Sequence, residues 1–515
     1  MILPDISISQ FYANAMGNRG RSERRIEAYY QIFVPSFADS NGDGIGDLNG
    51  ILSRLDYLEN LGIRGIWLSP IHPSPSCHKY DVIDYYGVDS AFGTIEDAKA
   101  LFAACHARNI RVLLDLVLNC TSDRHPAFLK ALRDPASEKR RWYLFADAPQ
   151  AAQLDPQATW NGLPSRHTAP NGDRYLGIYH ACMPDLNFDE PTLREECLRI
   201  ASYWLRLGAN GFRLDSAMHL YHPSKVAAGT AYHEKNIAWW KAFRAHCRAI
   251  RPDCLLVGEI WAESEVRAPY FAAIDSSFHF YLGDRIRRLI DGTCTADSFS
   301  AYLTETYRRF MSVDPSSIDA PFLSNHDMLR YAEQTGWDKA LLKLSAAIYL
   351  TLPGMPFVYY GEELGLAPMP GDPLADDSHE GLWRARTAFP FGQGQCAARF
   401  AHGYSSDPPE AQERDPDSML HFYRTLIRLR SRIAPIRDGH FSPLPAPEGV
   451  LAYRMHTETD AALIYHNLSD APISIAAETA FVTDPMTDRP PQRGTTHNSW
   501  ILPSKHSMIC YNTKP

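Results

Sequence analysis

The sequence predicts an α/β protein whose main domain is a (β/α)8 barrel, or TIM barrel. Short apolar runs rich in Val, Ile and Leu alternate along the chain with longer amphipathic stretches. Seven or eight such pairs fit within about 400 residues, which is the size and repeat of this barrel. The whole chain has 515 residues, more than one hydrophobic core usually organises, so we expect further domains.

The individual elements follow from this alternation. Each apolar run has the length and composition of a buried parallel strand, and each stretch between runs has helical periodicity. The predicted strands are 29–34, 63–68, 110–118, 209–214, 254–258, 319–323 and 356–360, with a weaker eighth within 271–280. The predicted helices are 48–61, 94–108, 191–207, 234–250, 296–311, 337–351 and 418–432.

Two irregularities predict additional domains. Roughly 70 residues with little helical periodicity separate the third strand from its helix, which is too long for a plain loop and indicates an inserted domain B. After about residue 437 the pattern changes to short alternating runs, typical of an antiparallel β-sandwich, domain C. The predicted boundaries are 1–118 and 190–437 for the barrel (domain A), 119–189 for domain B and 438–515 for domain C.

Composition argues against several classes of protein. A net charge of -9 disfavours nucleic acid as a partner, because no basic region is dense enough to neutralise a phosphate backbone. The most apolar late run is broken by Pro353 and Pro356, so we predict no membrane helix. The first 25 residues lack the order of a signal peptide, and no CxxC occurs. We expect a cytoplasmic monomer, although a secreted or periplasmic chain trimmed of its signal would look identical.

Charged residues follow several predicted strands, at the barrel face where functional groups collect. Arg213 and Asp215 come after one strand, Glu259 after the next, and His326 and Asp327 after a later one. Three carboxylates around one pocket suit glycoside hydrolysis, as nucleophile, general acid and ligand of sugar hydroxyls. Burial and neighbouring carboxylates would raise the pKa of the acid, and an adjacent arginine would keep the nucleophile ionised. From spacing alone, structural ion pairs or a metal site remain alternatives.

Four ordered segments resemble a known family. DLVLN, GFRLDSAMH, GEIW and FLSNHD, within residues 29 to about 430, resemble the signature regions of glycoside hydrolase family 13, the α-amylase family. The resemblance implies Asp215 as nucleophile, Glu259 as general acid/base and Asp327 as transition-state stabiliser. It also implies that Tyr80 stacks on the −1 sugar. Four other residues are expected to have substrate-side roles: Asp115, Arg213, His219 and His326.

A fifth segment, MPDLN at 183–187, resembles bacterial α-amylases intermediate between oligo-1,6-glucosidases and neopullulanases. Oligo-1,6-glucosidases typically have valine directly after the nucleophile, where this chain has Ser216. Both features favour α-1,4-linked glucan, as maltooligosaccharides or starch. A 4-α-glucanotransferase or α-glucosidase remains open, since acceptor-side loops 160–182 and 365–400 would decide between water and sugar as acceptor. A catalytically inactive homologue, such as the ectodomain of an amino-acid transporter heavy chain, is disfavoured because all three acids are present.

Cys120 departs from the family pattern. The family has a histidine here that donates to the O6 hydroxyl of the −1 sugar, and a thiol is a shorter and weaker donor. Cys77 lies near a second departure, in CHKYD. The sequence leaves open whether the two cysteines are small fillers, a disulfide or redox pair, or metal ligands, and whether Cys120 was introduced by engineering.

The segment DSNGDGIGD predicts a cation site. It has oxygen ligands at alternate positions and glycines that permit a tight wrap, as in EF-hand loops. The expected ligands of a structural Ca²⁺ are Asp39, Asn41, Asp43, the carbonyl of Ile45 and Asp47. An Asx-rich turn that binds nothing is the alternative. The same segment resembles a calcium loop of related α-glucosidases and amylases.

Overall fold

The computed structural model describes most of the chain, in eight segments: residues 27–147, 159–160, 163–368, 384–392, 406–476, 482–483, 493–494 and 499–511. Within them an eight-stranded parallel sheet forms the barrel, in the order β12-β1-β2-β3-β8-β9-β10-β11. Its strands are β1 (Tyr29–Ile32), β2 (Gly65–Leu68), β3 (Arg111–Leu116), β8 (Gly211–Leu214), β9 (Leu255–Gly258), β10 (Ser276–Phe278), β11 (Ile318–Ala320) and β12 (Phe357–Tyr359). The predicted barrel is therefore confirmed.

The barrel is nearly closed between its last two strands. Backbone N–H groups of Met355 and Phe357 donate to the carbonyls of Asp319 and Pro321, at 2.8 and 2.9 Å. Strand β8 approaches β9 so closely that a Cβ on Gly211 would lie 1.9 Å from the carbonyl oxygen of Leu255. Only glycine fits there. This close approach places β8, which contains Arg213 and precedes Asp215, directly beside β9, which precedes Glu259.

Helices cover the outside of the barrel. The main ones match the predicted segments to within a few residues, because each has a buried apolar stripe, and several also have a capped start, such as the Thr94–Asp97 capping box. The helices are α1 (Val34–Phe37), α2 (Leu48–Ser53), α3 (Leu55–Leu61), α4 (Ile95–Ala107), α5 (Pro126–Arg133), α6 (Pro191–Leu207), α7 (Tyr232–Ile250), α8 (Ser264–Arg267), α9 (Leu282–Ile290), α10 (Ala296–Val313), α11 (Tyr331–Gln334), α12 (Lys339–Thr351), α13 (Pro409–Gln412), α14 (Met419–Arg432) and α15 (Ala434–Asp438). Short 3₁₀ turns are Glu138–Trp142, Pro223–Lys225, Ala268–Ala272 and Glu362–Leu364.

The segment between β3 and α6 contains two small antiparallel ladders, β4 (Thr159–Trp160) with β5 (Leu163–Pro164) and β6 (Arg166–Thr168) with β7 (Arg174–Leu176). It also contains the short helix α5, which was not predicted from the sequence. His125 caps α5 by accepting from the N–H of Ala127, Pro126 occupies its first turn, and Phe128 is buried. At eight residues the helix is too short for its periodicity to stand out from the surrounding loop.

The C-terminal part is antiparallel. Strands β13 (His440–Pro443), β14 (Val450–His456), β15 (Ala461–Asn467), β17 (Val482–Thr483) and β19 (Ser507–Tyr511) form one sheet, and β16 (Ile473–Ala476) pairs with β18 (Ser499–Leu502). The sequence did not indicate β13, because HFSP is short and ends in proline. In the part of the chain that the structure describes, no helix has both the length and the hydropathy needed to cross a membrane.

Candidate active site

A buried guanidinium lies at the centre of the site. Nη1 of Arg213, which is 1% exposed, is 2.9 Å from Oδ1 of Asp115 and 2.5 Å from Oδ1 of Asp215. Nη2 is 2.8 Å from Oε2 of Glu259. Because these residues follow or end three adjacent strands, β3, β8 and β9, the barrel itself brings the three carboxylates onto one cation.

Asp115 organises one wall of the pocket. Its Oδ2 accepts from Nε1 of Trp67 at 3.1 Å and from the hydroxyl of Tyr80 at 2.9 Å, while its other oxygen binds Arg213. The Tyr80 ring stacks on His326, with centroids 5.5 Å apart and planes 6° from parallel. Tyr80 and His326 also share a hydrogen bond of 2.6 Å. The sequence-predicted residues Tyr80, Asp115, Arg213 and His326 therefore form one connected cluster.

Asp327 lies next to His326 and Arg386. Its carboxylate is 3.1 Å from Nε2 of His326 and 3.1 Å from Nη2 of Arg386, and its side chain is about one-third exposed (31%). Arg386 also donates through Nε to the carbonyl of His326 at 3.0 Å. Nδ1 of His326 meets the side-chain amide of Gln31 at 2.7 Å, which orients the ring from the first barrel strand.

The three carboxyl groups have different acidities. Burial raises the pKa of Glu259 to about 7, with Asp215 and Asp327 adding to the rise and Arg213 opposing it. Burial also raises the pKa of Asp215 to about 6, against the pull of Arg213. Burial would raise the pKa of Asp327 as well, but the charges near it, from His326, Arg386 and Arg213, outweigh burial and lower it. At neutral pH this favours a protonated fraction at Glu259 beside two mainly ionised aspartates.

Ser216, directly after Asp215, contacts the second carboxyl group. Its backbone N–H donates to Oε2 of Glu259 at 2.7 Å. Its hydroxyl accepts from Tyr179 at 2.8 Å, and the Tyr179 hydroxyl also meets Nδ1 of His219 at 2.7 Å. Burial lowers the pKa of His219 to about 3, so this ring is neutral. His219 is thus joined to the site through Tyr179 and Ser216.

Cys120 is completely buried and is a free thiol, so it forms no disulfide with Cys77. The chain before it is held by a buried polar cluster. Asn119 and the buried Lys225 both bind Oδ1 of Asp185, at 2.9 and 3.0 Å, and Lys225 also donates to Oδ1 of Asn119 at 2.8 Å. Asp185 belongs to MPDLN. The carboxylate of this segment therefore holds the chain just after β3 in place. The burial of Cys120 favours the interpretation that it fills space.

The predicted cation loop is folded around its own carboxylates. Asp39 accepts from the N–H groups of Gly42 and Gly44 at 2.7 and 2.8 Å, and Asp43 accepts from Ile45 at 2.8 Å. Asp47 accepts from Gly50 at 2.7 Å and so caps helix α2. The atoms that would bind the cation are all oxygens, which are the ligands that a hard cation requires. Among the described residues, however, no three His, Cys, Asp or Glu side chains are arranged closely enough to hold a metal.

Several residues of the site escaped sequence reasoning. Gln31, Trp67 and Arg386 contact the predicted residues directly but belong to no signature segment, and Arg386 lies far along the chain. Tyr179 lies four residues before MPDLN, and only its position in an acceptor-side loop pointed toward it. Lys225 lies close to His222 and Pro223 in the sequence, but its buried contacts with Asn119 and Asp185 are visible only in the fold.

A barrel with carboxylates and an arginine at the C-terminal ends of its strands is the architecture of an enzyme. A family model described as the catalytic domain of α-amylase matches residues 31–439. α-Amylase 3 of Dictyoglomus thermophilum is 34% identical over 444 residues, which cover 86% of this chain and 84% of the relative. The 4-α-glucanotransferase of Thermotoga maritima is 31% identical over 450 residues, covering 85% and 95%.

The fold comparison agrees with the sequence comparison. The crystal structure of an α-amylase from H. orenii superposes with a TM-score of 0.83 at 35% identity, covering 95% of this chain and all of that one. The chain belongs to the α-amylase family, glycoside hydrolase family 13, and is an enzyme of the glycoside hydrolase class.

Proposed function

We propose that the enzyme is a retaining hydrolase that cleaves α-1,4-glucosidic bonds of maltooligosaccharides or starch. Asp215 attacks the anomeric carbon while Glu259 donates its proton to the leaving oxygen, and a glycosyl-enzyme forms. Glu259 then removes a proton from water, which displaces Asp215. The observation that carries the proposal is the shared contact of Asp215 and Glu259 with the two terminal nitrogens of Arg213, with Glu259 as the less acidic of the two.

The other groups suit a bound sugar. Asp327, partly exposed and ionised beside Arg386, is suited to accept hydrogen bonds from sugar hydroxyls as the ring distorts. The Tyr80 ring, held by Asp115 and His326, supplies an aromatic face for the apolar side of a pyranose in the −1 subsite. The serine after Asp215 favours α-1,4 over α-1,6 linkages by the family resemblance.

A second candidate is transfer of the glycosyl group to another sugar, as in a 4-α-glucanotransferase or an α-glucosidase. The name of the Thermotoga maritima relative supports this candidate. The same three acids serve both reactions, and the acceptor decides between them. Residues 369–383 and 393–400, within one acceptor-side loop, lie outside the described residues.

A product time-course on maltoheptaose separates these possibilities. We expect shorter maltooligosaccharides whose first-formed anomer is α by proton NMR. A β-anomer as first product would refute the retaining mechanism. Products longer than the substrate would identify transfer as the main reaction. The Asp215→Asn variant is the control, because a loss of activity with unchanged melting temperature ties the products to this site.

We also propose that Asp39, Asn41, Asp43, Asp47 and the carbonyl of Ile45 hold a structural Ca²⁺. The support is the donor chemistry and the wrapped loop, with Gly42 and Gly44 in left-handed conformations at φ 82° and 88°. The cation would tie β1 to the start of α2 and take no part in catalysis.

We expect the enzyme to act as a monomer in the reducing cytoplasm. The support is the cysteine pattern of the sequence, in which the cysteines are scattered and no CxxC occurs. Light scattering after size-exclusion chromatography would test the monomer, and an elution mass twice that of the 58.0 kDa chain would contradict it.

A further inference from the structure

The hydroxyl of Tyr179 bridges two residues of the wall around Glu259. It donates to Oγ of Ser216 at 2.8 Å and meets Nδ1 of His219 at 2.7 Å. Tyr179 lies between β7 and MPDLN, in the inserted segment, whereas Ser216 and His219 follow β8. One phenol group therefore connects the inserted segment with the loop that carries the proposed nucleophile.

Ser216 has a backbone conformation that needs support. Its φ is +47°, in the left-handed region that side chains with a Cβ disfavour. In this conformation its N–H points at Oε2 of Glu259, 2.7 Å away. Such a conformation persists only where surrounding contacts hold it. The Ser216 side chain is held by the hydrogen bond that its hydroxyl accepts from Tyr179.

We propose that Tyr179 is a positioning residue for the acid/base. Its hydroxyl holds Ser216 so that the Ser216 N–H stays on Glu259, which orients the carboxyl group and stabilises its ionised form. The inference rests on the proposed function for the role of Glu259, but the contacts themselves do not. The charged groups that face Glu259 are Arg213, Asp215 and Asp327, and Tyr179 faces Asp215, Glu259 and Asp185.

The first test is Tyr179→Phe, with Tyr175→Phe as matched control. Tyr175 lies in the same segment, and its hydroxyl donates to the carbonyl of Ala181 at 2.6 Å, away from the acids. We expect Tyr179→Phe to lower kcat about three- to twelvefold, the effect of one lost hydrogen bond, with KM changed less than about twofold. The basic limb of its pH profile should move upward by about half to one unit, because the ionised form of Glu259 loses support.

Tyr175→Phe should keep the wild-type pH profile. If Tyr179→Phe folds normally and its profile coincides with that of Tyr175→Phe, the proposal is overturned. If Tyr179→Phe does not fold, Ser216→Ala decides, since it removes the hydroxyl partner and keeps the N–H. Ser216→Ala should shift the basic limb in the same direction, and an unshifted limb would overturn the proposal.

A second measurement is independent of substrate. The titration of the Glu259 carboxyl group can be followed by ¹³C NMR, assigned by its loss in Glu259→Gln. We expect a higher titration midpoint in Tyr179→Phe than in the wild type and in Tyr175→Phe. An enzyme inactive on every α-glucan would overturn the proposed function while this midpoint still decides the role of Tyr179. Equal midpoints in an active enzyme would overturn the role of Tyr179 alone.

Discussion

Arg213 explains why three acids can share one buried pocket. A single guanidinium contacts Asp115, Asp215 and Glu259, and its Nε has no hydrogen-bond partner in the structure. Buried carboxylates without such a cation would be protonated at neutral pH. Arg213 lowers the pKa of all three, but burial outweighs it, so Asp215 and Glu259 remain weaker acids than in water. A pKa of about 6 leaves Asp215 mainly ionised at neutral pH, as expected for a carboxylate beside an arginine.

Replacing Glu259 by Gln tests the acid/base. The variant keeps the shape of the side chain but has no proton to donate, so we expect kcat on maltooligosaccharides to fall about 10²- to 10⁴-fold. The control is Glu263→Gln, four residues on, where the carboxylate pairs with Arg285 and accepts from the Tyr302 hydroxyl. Activity within a few-fold of the wild type in Glu259→Gln would remove Glu259 from this role.

Cys120 is predicted to act through packing. Because the thiol is buried and is a poor donor, Cys120→Ala should keep kcat/KM within about twofold and lower the free energy of unfolding by about 1 kcal/mol, the value of one buried small group. Denaturant titration and kinetics measure both quantities. A tenfold loss of kcat/KM in a stable Cys120→Ala would show that the thiol contributes to catalysis.

The reverse change restores the residue of the family pattern. If the imidazole reaches the −1 sugar, Cys120→His should raise kcat/KM about three- to twelvefold, the value of one hydrogen bond to a neutral hydroxyl. The larger ring enters a filled site, so we also expect a lower melting temperature. An unchanged kcat/KM, with the ring placed toward the sugar in a crystal structure, would exclude a missing contact.

At the scale of elements, the loop of residues 39–47 links β1 to helix α2. Its Asx contacts and the capping of α2 by Asp47 hold its shape without a cation. A bound Ca²⁺ would add stability by mass action, about 2.7 kcal/mol at a hundredfold excess over Kd.

Melting curves test the cation. We expect the melting temperature to rise with Ca²⁺ and fall with a chelator. Asp43→Asn is the matched variant, because Asn can still accept from Ile45 but lacks the charge. It should melt like the wild type in chelator and gain less from Ca²⁺. Equal melting temperatures of the wild type in Ca²⁺ and in chelator would contradict the site.

The 3₁₀ turn Glu362–Leu364, which follows β12, contains the buried acid Glu362. Glu362 accepts from Tyr349 and Tyr423 at 2.9 and 3.0 Å, and its other oxygen has no hydrogen-bond partner among the described residues. Burial raises the pKa of Glu362 from 4.5 to about 8, although the two tyrosines lower it. The folded protein therefore holds a proton here that the unfolded chain releases above about pH 4.5.

This proton gives a pH dependence of stability. The stabilisation that comes from the proton on Glu362 is fully present below pH 4.5 and is lost as the pH rises through about 8. The free energy of unfolding should therefore fall between these two pH values. One pKa unit is worth about 1.4 kcal/mol, so the fall should exceed about 1 kcal/mol. Glu362→Gln should flatten the curve, whereas the exposed control Glu96→Gln should not. An equal slope in Glu362→Gln would contradict the prediction.

For the whole molecule, the barrel determines which charges meet. Asp215 and Glu259 follow β8 and β9, and Asp327 follows β11, which is separated from β9 by one strand, β10. The proposed mechanism requires Asp215 to be ionised and Glu259 to be protonated. Their pKa values of about 6 and about 7 therefore predict a bell-shaped profile of kcat/KM.

The profile should rise through about pH 6, peak between 6 and 7 and fall above 7. Initial rates on maltoheptaose at low concentration, from pH 4 to 9, measure it. A flat plateau from pH 5 to 9 would show that these two groups do not control the reaction.

The sequence alone determined the barrel and its strand ends. The hydrophobic period, the length of a segment and the turn residues at its ends are local properties of the sequence. Helix α6 was therefore predicted as 191–207 and is found as Pro191–Leu207. Asp215 and Glu259 were found because each follows its strand directly, Asp327 lies seven residues after β11, and the resemblance to the α-amylase family covered all three segments. Helix α5 was missed because eight residues carry too little periodicity.

The tertiary structure decided what depends on distant residues meeting. Arg386 reaches Asp327 from 59 positions away, and Lys225 meets Asn119 across 106. The pKa order of Asp215, Glu259 and Asp327 depends on burial, on Arg213 and, for Asp327, on His326 and Arg386 as well, and no local pattern encodes these neighbours. Tyr179 supports Glu259 only because the inserted segment folds back over β8. Contacts of this kind arise from packing, so their physical cause lies in the fold rather than in the order of neighbouring residues.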